Sequence, residues 1–157
     1  MTVPADFIGR TIDISLFGNV PDREDDQRLL TQTLLSFNGT GAIVTGAQKV
    51  AQRFLMRLLK VPGDDPYEVE GCTFLQDASQ GAWQSSADVR ASFASALADI
   101  SEQFAAEILA TDPAEEVFDT AVLDNVELLA GFVILTIRVV TAAGESRQVI
   151  SPIPLVV

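Results

Sequence analysis

The sequence predicts an α+β fold, in which two main helices pack on one face of a small antiparallel sheet that ends in a C-terminal β-hairpin. Two amphipathic segments with helical spacing, at residues 45–61 and after residue 85, indicate the helices. Strand-like segments at residues 117–129 and 131–141, followed by a turn at 142–145 and a last strand, indicate the hairpins. The 157 residues suffice for one such domain with an extended arm.

Residues 1–42 are predicted to form a strand pair or an arm, separate from an α+β domain at residues 43–157. Ile12, Ile14 and Leu16 alternate with polar residues in the segment 11–17, which is typical of a half-buried strand. Residues 28–36 fit a strand or a helix by pattern, and the short flanking turns favour a strand. The acidic stretch between these segments is interpreted as a solvated loop.

The first helix, at residues 45–61, carries an unusual concentration of positive charge. Its apolar arc consists of Ala47, Val50, Ala51, Phe54, Leu55 and Leu58. Lys49, Arg53, Arg57 and Lys60 lie beside that arc within about 80°. The helix dipole favours Arg57 and Lys60 near the C-terminal end, but Lys49 and Arg53 are too far from it. The stripe is therefore either a solvated face or a contact surface, and we expect Lys49 and Arg53 to meet an acidic partner.

The second helix is predicted to begin at Ser85 or Ser86, with Asp88 in its first turn. Spacings of three and four residues define its core-facing stripe, which consists of Val89, Phe93, Leu97, Ile100, Phe104 and Ile108. The pair Asp112-Pro113 is expected to end the helix. Between the two helices, the sequence predicts an extended segment at 67–74 and then a loop.

The C-terminal strand contains two prolines, Pro152 and Pro154, two residues apart. In an extended strand their missing N–H groups fall on the same side. That arrangement either blunts a sheet edge against aggregation or leaves a one-sided edge for strand exchange. In the second case Ser151, Ile153 and Leu155 are the residues expected to pair with another subunit.

Composition excludes several function classes. The chain carries 22 acidic and 10 basic residues, a formal charge of −12, which argues against nonspecific nucleic-acid binding. It has no apolar run near the roughly 20 residues that cross a membrane, and no secretory leader, so we expect a soluble, non-secreted protein. A single cysteine, Cys72, forms no internal disulfide. No cofactor is predicted.

Catalytic candidates are restricted to carboxylates. The chain has no histidine, which removes the commonest general base and zinc ligand as well as Ser/His/Asp and Cys/His arrangements. Glu68 and Glu70 lie on one face of an extended segment, about 7 Å apart, which is compatible with an acid and a base. A two-carboxylate cell-wall glycosidase is therefore one alternative, but the favoured interpretation is a protein that is not an enzyme.

Part of the chain resembles a known family. The run TGAQKVAQRFLMRLLKVPGDDPYEVEGCTF at residues 45–74 is followed by a long helix, by DPAEEVFDTAVL and by a terminal hairpin. In this order, over residues 43–157, these segments resemble the sheath-initiator family of contractile phage tails, which are baseplate wedge proteins often labelled lysozyme-like. Many relatives carry Glu-Pro-Arg after the second helix, associated with docking onto the wedge. Here Asp112-Pro113-Ala114 keeps the acid and the proline but lacks the arginine.

The resemblance implies a structural protein of the virion, made in the host cytoplasm and placed at the tail baseplate. It implies that the protein links the wedge to the first sheath ring and nucleates sheath assembly through strand addition to a sheet edge. The implied partners are tail-sheath subunits, wedge proteins and tube proteins, without nucleic acid or membrane. A monomer before assembly and several copies around the tube are expected. A soluble adaptor of the same fold is the other alternative.

Overall fold

A computed structural model describes residues 13–14, 30–31, 43–63 and 70–155 of the chain. In chain order its strands and helices are β1 Asp13–Ile14, β2 Leu30–Thr31, β3 Ile43–Val44, α1 Gly46–Leu58, α2 Phe74–Ser79, α3 Ser86–Glu107, β4 Phe118–Leu129, β5 Phe132–Thr141 and β6 Ser146–Pro154. A single 3₁₀ turn at Ala114–Glu116 precedes β4.

The main sheet has the strand order β2-β6-β5-β4. Its three long strands are antiparallel neighbours, whereas β2 pairs in parallel with β6 opposite Val149 and Ile150. A separate antiparallel pair is formed by β1 and β3. Helix α1 packs on β5 and β6, and α3 packs on β4. The predicted α+β fold, with helices against an antiparallel sheet and a C-terminal hairpin, is confirmed.

Helix α1 supplies one side of the core. All six residues of its predicted apolar arc are at most 3% exposed. Opposite them, alternate residues of β5 point toward the helices because side chains alternate across a strand. These buried β5 residues are Val133, Leu135, Ile137 and Val139. The predicted apolar arc is confirmed and fixes which face of the sheet the helices cover. The helix ends at Leu58 and not at residue 61, so the placement of Lys60 on its basic stripe was wrong.

Helix α3 begins as predicted and ends earlier than predicted. Ser85 accepts a hydrogen bond from the Asp88 N–H at 3.3 Å, and the Asp88 carboxylate accepts from the Ser85 N–H at 2.8 Å, which completes a capping box. The helix ends at Glu107, because Ile108 is already extended with ψ 125°. Ile108 is 48% exposed, so its assignment to the core stripe was wrong.

The predicted loop after Phe74 contains a helix, α2, and this part of the prediction was wrong. Phe74 and Ala78 lie one helical turn apart and are both buried, so one face of this six-residue helix packs on the core. Phe74 packs against Trp83 with ring centres 4.6 Å apart. Ser92 on α3 accepts from Trp83 Nε1 at 3.1 Å and donates to Asp77 at 2.6 Å. Tertiary contacts therefore hold a helix too short to show periodicity in the sequence.

Gly71 brings the segment before α2 against the end of α1. Its φ is +127°, and a Cβ at this position would lie 2.5 Å from the Lys60 carbonyl oxygen. The side-chain amide of Gln103 on α3 makes two hydrogen bonds with Gly71. Its Oε1 accepts from the Gly71 N–H at 3.2 Å, and its Nε2 donates to the Gly71 carbonyl at 2.7 Å. The next residue, Cys72, donates its N–H to the same Lys60 carbonyl. Only glycine allows this close approach of two backbones.

Several predictions concern residues that are described only in part. β1 lies within the predicted strand at 11–17 and β2 within that at 28–36. They pair with β3 and β6, and not with each other. The rest of residues 1–42, and Tyr67, Glu68 and Val69 of the predicted extended segment, lie outside the described residues. The division at residue 42 stays a prediction.

Candidate functional site

The basic stripe of α1 is matched by acidic side chains of the same chain. Lys49 Nζ lies 3.3 Å from Glu116 Oε2, and Thr45 Oγ1 donates to Glu116 Oε1 at 2.9 Å. The Glu116 side chain is only 5% exposed, and that of Lys49 is 13% exposed. This contact joins the start of α1 to the 3₁₀ turn that leads into β4. Lys49 therefore does not lie on an outward charged face.

Arg53 and Arg57 converge on Glu107 at the end of α3. Each donates to one carboxylate oxygen of Glu107, Arg57 at 2.5 Å, and Arg57 also lies 3.5 Å from Glu70. Burial raises the pKa of Glu107, but the hydrogen bond from Arg57 and the charges of the two guanidinium groups lower it, so the pKa lies below its usual value. The negative end of the α3 dipole adds to this attraction for cations.

The Arg57 guanidinium is enclosed by protein. Its side chain is 4% exposed, and its Nε and Nη1 atoms are buried with no hydrogen-bond partner in the described structure. The guanidinium lies over the Phe104 ring, 4.1 Å from its centre. A ring face attracts a cation, which partly offsets the missing hydrogen bonds. Phe104 stacks on Phe118 at 4.6 Å, and Phe118 on Phe54 at 5.6 Å, so the charged cluster rests on the aromatic core.

These contacts change the interpretation of the stripe. The expectation of an outward face is wrong for Lys49 and Arg57, while Arg53 is about one-third exposed. A role for these cations in binding a partner stays a prediction, but their acidic neighbours in the fold already account for their position. The position of Glu107 could have indicated this contact from the sequence. An acid in the last turn of a helix is disfavoured by the helix dipole unless a cation compensates it.

Asp112 and Pro113 form a turn and not a helix end. The Asp112 carboxylate accepts the Leu109 N–H at 2.8 Å, and the Asp112 N–H donates to the Leu109 carbonyl at 3.0 Å. Pro113 then precedes the 3₁₀ turn, whose Glu116 N–H donates to the Pro113 carbonyl. Their predicted role in docking a partner stays a prediction, and the structure assigns the Asp112 carboxylate to closing this turn.

In strand β6, the segment 151–155 that was predicted to pair with another subunit has no backbone donors on its outer side. Leu155 donates its N–H to the Gly131 carbonyl at 2.9 Å, and Ser151 and Ile153 pair with Leu135 and Val133 of β5. By alternation, the N–H groups of all three residues face β5. The side where another strand would add contains the two prolines, so Ser151, Ile153 and Leu155 pair within the sheet, and their role in binding another subunit stays a prediction. Ser151 and Ile153 are also buried.

The opposite edge of the sheet is β4, and no described strand lies beyond it. The hairpin pairs Leu129 with Phe132, so the backbone groups of Val126 and Leu128 alternate to the outer side. A register shift at Asp124 turns the Leu123 carbonyl outward as well, where Arg90 of α3 donates to it at 2.9 Å. Arg90 thus occupies the middle of the edge, and the outward groups at Val126 and Leu128 lie beyond it.

Exposed apolar side chains surround this open part of β4. Leu128 is 39%, Leu129 52% and Phe132 50% exposed. These residues lie in the predicted strands, but their exposure could not be predicted, because the strand patterns do not indicate where the helices stop covering the sheet. Exposed apolar residues grouped in this way mark binding surfaces more often than isolated ones do.

The described residues were also compared with what a carboxylate active site, a metal site or a membrane-spanning helix requires. Glu70 contacts Arg57, and Glu68 lies outside the described residues, so the two-carboxylate hypothesis stays untested. The described residues contain no group of three or more His, Cys, Asp or Glu arranged to hold a metal ion. Among the described helices, none combines the length and apolarity needed to span a membrane.

Comparison with known proteins adds no identification. No protein-family model matches the chain, and neither the curated proteins nor the solved structures contain a significant match.

Proposed function

We propose that this protein is a structural assembly component that receives an extended strand of a partner subunit on the outer edge of β4. The observation that carries the proposal is the open stretch of that edge at Val126 and Leu128, next to exposed apolar side chains. A strand added there obtains backbone hydrogen bonds from the edge and covers apolar surface at the same time. No described strand lies beyond β4 to compete for these groups.

The two edges of the sheet support this assignment by contrast. On the β6 side, the prolines remove donors at residues 152 and 154, and on β4 the Arg90 contact occupies Leu123. Both are devices by which proteins restrict unwanted edge pairing. The stretch from Asn125 to Leu129 carries neither device. The open stretch of β4 thus coincides with the apolar cluster.

The particular assembly we propose is the baseplate of a contractile phage tail. The support is the order of segments over residues 43–157 that resembles the sheath-initiator family. In this proposal the protein links the wedge to the first sheath ring, and a sheath arm supplies the added strand. The proposed partners are sheath, wedge and tube proteins, the location is the virion, and the protein acts without catalysis.

The proposal can be tested by closing the edge without changing the side that faces β5. Leu128→Pro removes one outward N–H, and proline is tolerated on an edge strand where the N–H faces solvent. Leu128→Ala is the matched control, because it removes the same side chain but keeps the N–H. A second blocking variant, Leu128→Lys, places a charge where the added strand would pack. Circular dichroism establishes that each variant is folded.

The readout is polymerisation of purified tail-sheath subunits seeded by the protein, followed by light scattering and electron microscopy. We expect Leu128→Pro and Leu128→Lys to lower the seeding rate at least tenfold, about 1.4 kcal/mol, and Leu128→Ala to change it less. Full seeding by folded Leu128→Pro and Leu128→Lys would rule out the β4 edge. Immunogold labelling of intact particles tests the location, and absence of label from the baseplate would favour the adaptor alternative.

A further inference from the structure

The charge on the open part of β4 is not neutralised within the described structure. Asp124 is paired with Arg138 of β5, at 2.8 Å. Glu127 is exposed and accepts only from Asn125 Nδ2, at 2.9 Å, and it has no cation within ion-pair distance among the described residues. It therefore presents a free negative charge in the middle of the stretch from Asn125 to Leu129.

The two faces of this stretch differ in chemistry. Val126 and Leu128 pair with Leu135 and Val133, whose side chains point to the helix-covered face. Val126 is partly buried against the core, and Leu128 continues the same row into solvent. Glu127 pairs with Ile134 on the opposite face, which the helices do not cover. Directly opposite residues on neighbouring strands point to the same face, so an added strand meets the row of Val126 and Leu128 on one face. On the other face it meets Glu127, the only charged residue of this stretch, next to the exposed pair of Leu129 and Phe132.

We infer that the segment received by β4 is an extended strand of another protein with apolar residues on one face and a basic residue on the other. This inference rests on the proposed function and names the chemistry of the partner strand. Its apolar side chains extend the row of Val126 and Leu128, and its cation lies opposite Glu127. Cross-strand pairs of opposite charge are favourable, whereas like charges directly opposite each other are destabilising.

A second copy of this chain fits the edge less well. Antiparallel pairing of β4 with itself across Val126 and Leu128 brings two Glu127 side chains into opposite or diagonal positions. Each copy also carries a formal charge of −12, so approach of two copies is opposed at long range. Charge complementarity thus selects a basic partner strand over self-association.

Two fluorescent heptapeptides provide the test, one alternating valine with lysine and one alternating valine with glutamate. Binding to the full chain is measured by fluorescence anisotropy in about 150 mM salt, where long-range charge effects are screened. We expect the basic peptide to bind at least tenfold more tightly than the acidic one. Glu127→Lys should reduce this ratio at least fivefold, and Glu102→Lys, an equal charge change at an exposed position of α3, should leave it within twofold.

Leu128→Pro separates strand addition from simple attraction to an acidic protein, since it retains every charge. We expect this variant to lose binding of the basic peptide, and unchanged binding would overturn the inference. Loss of binding in Leu128→Pro with an unchanged peptide ratio in Glu127→Lys would also overturn it, while the β4 edge would stand. The same holds if wild type shows no preference for the basic peptide. The proposed function is decided separately, by sheath seeding with the Leu128 variants.

Discussion

The Arg57 guanidinium lies over Phe104, 4.1 Å from the ring centre, and Phe104 also stacks on Phe118. The Phe104 ring thus contacts both the buried Arg57 cation and the aromatic core. We expect Phe104→Leu to lower the free energy of unfolding by about 2–3 kcal/mol, because it removes both ring contacts. Urea denaturation measures the change. Phe132→Leu, at a half-exposed ring, should stay within about 0.5 kcal/mol of wild type, and equal losses in the two variants would contradict this account.

Glu107 makes the stability of the fold depend on pH. Its folded-state pKa lies below the unfolded value of about 4.3, so its contribution is fully present above that value and is lost as pH falls through the folded pKa. At pH 7 Glu107→Gln should lower the free energy of unfolding by about 1–2 kcal/mol, a range reduced for the partial exposure of the carboxylate. The difference from wild type should shrink between pH 5 and 3, as measured by urea denaturation at each pH.

Glu102→Gln on the same helix serves as the control for that experiment. Glu102 is exposed, and its substitution should change stability little at any of these pH values. A Glu107→Gln difference that stays constant with pH would show that the loss arises from packing and not from the carboxylate charge.

The capping box at the start of α3 should be measurable by a single hydroxyl deletion. Ser85→Ala leaves the Asp88 N–H without its side-chain acceptor and should cost about 1 kcal/mol of folding free energy. Thermal unfolding of Ser86→Ala provides the comparison, because Ser86 is exposed and lies one residue inside the helix. A larger loss in Ser86→Ala would show that the helix starts one residue later.

Gly71 should tolerate no side chain. A Cβ there meets the Lys60 carbonyl at 2.5 Å, so Gly71→Ala must displace backbone, and we expect a loss of about 3 kcal/mol or more in the free energy of unfolding. Gly63→Ala also has positive φ, +89°, but a Cβ there meets no atom within 4 Å. It should cost about 1 kcal/mol. Similar values for the two variants would mean that dihedral strain, and not the close approach, sets the requirement for glycine.

Cys72 should be unreactive in the folded protein. Burial raises the pKa of its thiol to about 11, so little thiolate is present at pH 8. We expect alkylation by iodoacetamide to be slow in native protein and rapid in urea, as followed by mass spectrometry. Modification at similar rates in both conditions would indicate that the segment around Cys72 opens readily.

Local patterns in the sequence were sufficient for most of the fold. The apolar arc of α1, the Ser85 cap and the three long strands depend on residues within a few positions of each other, and periodicity detects such relationships. Helix α2 was missed because its six residues owe their conformation to Phe74 packing on Trp83 and α3. The end of α3 was placed too late because Asp112-Pro113 is a strong stop signal, but the chain had already turned at Ile108.

The candidate sites were harder to predict because they depend on contacts between distant parts of the chain. Arg53 meets Glu107, 54 residues later, and Lys49 meets Glu116, 67 residues later. No spacing rule connects such pairs. The two prolines did correctly indicate an edge without donors, but the remaining donors of β6 face β5. The open edge lies on β4, and its identity follows from strand order, which a single sequence does not contain.

The asymmetry of the sheet has a consequence for any assembly that contains this protein. Past the two-residue β2, the prolines at 152 and 154 leave the outward side of β6 without donors, so the proposed strand addition uses β4. If the proposal holds, each copy receives one partner strand on β4 and starts a row of strands there. Copies arranged in a ring would each anchor a single incoming arm, and the number of first-layer arms would equal the number of copies.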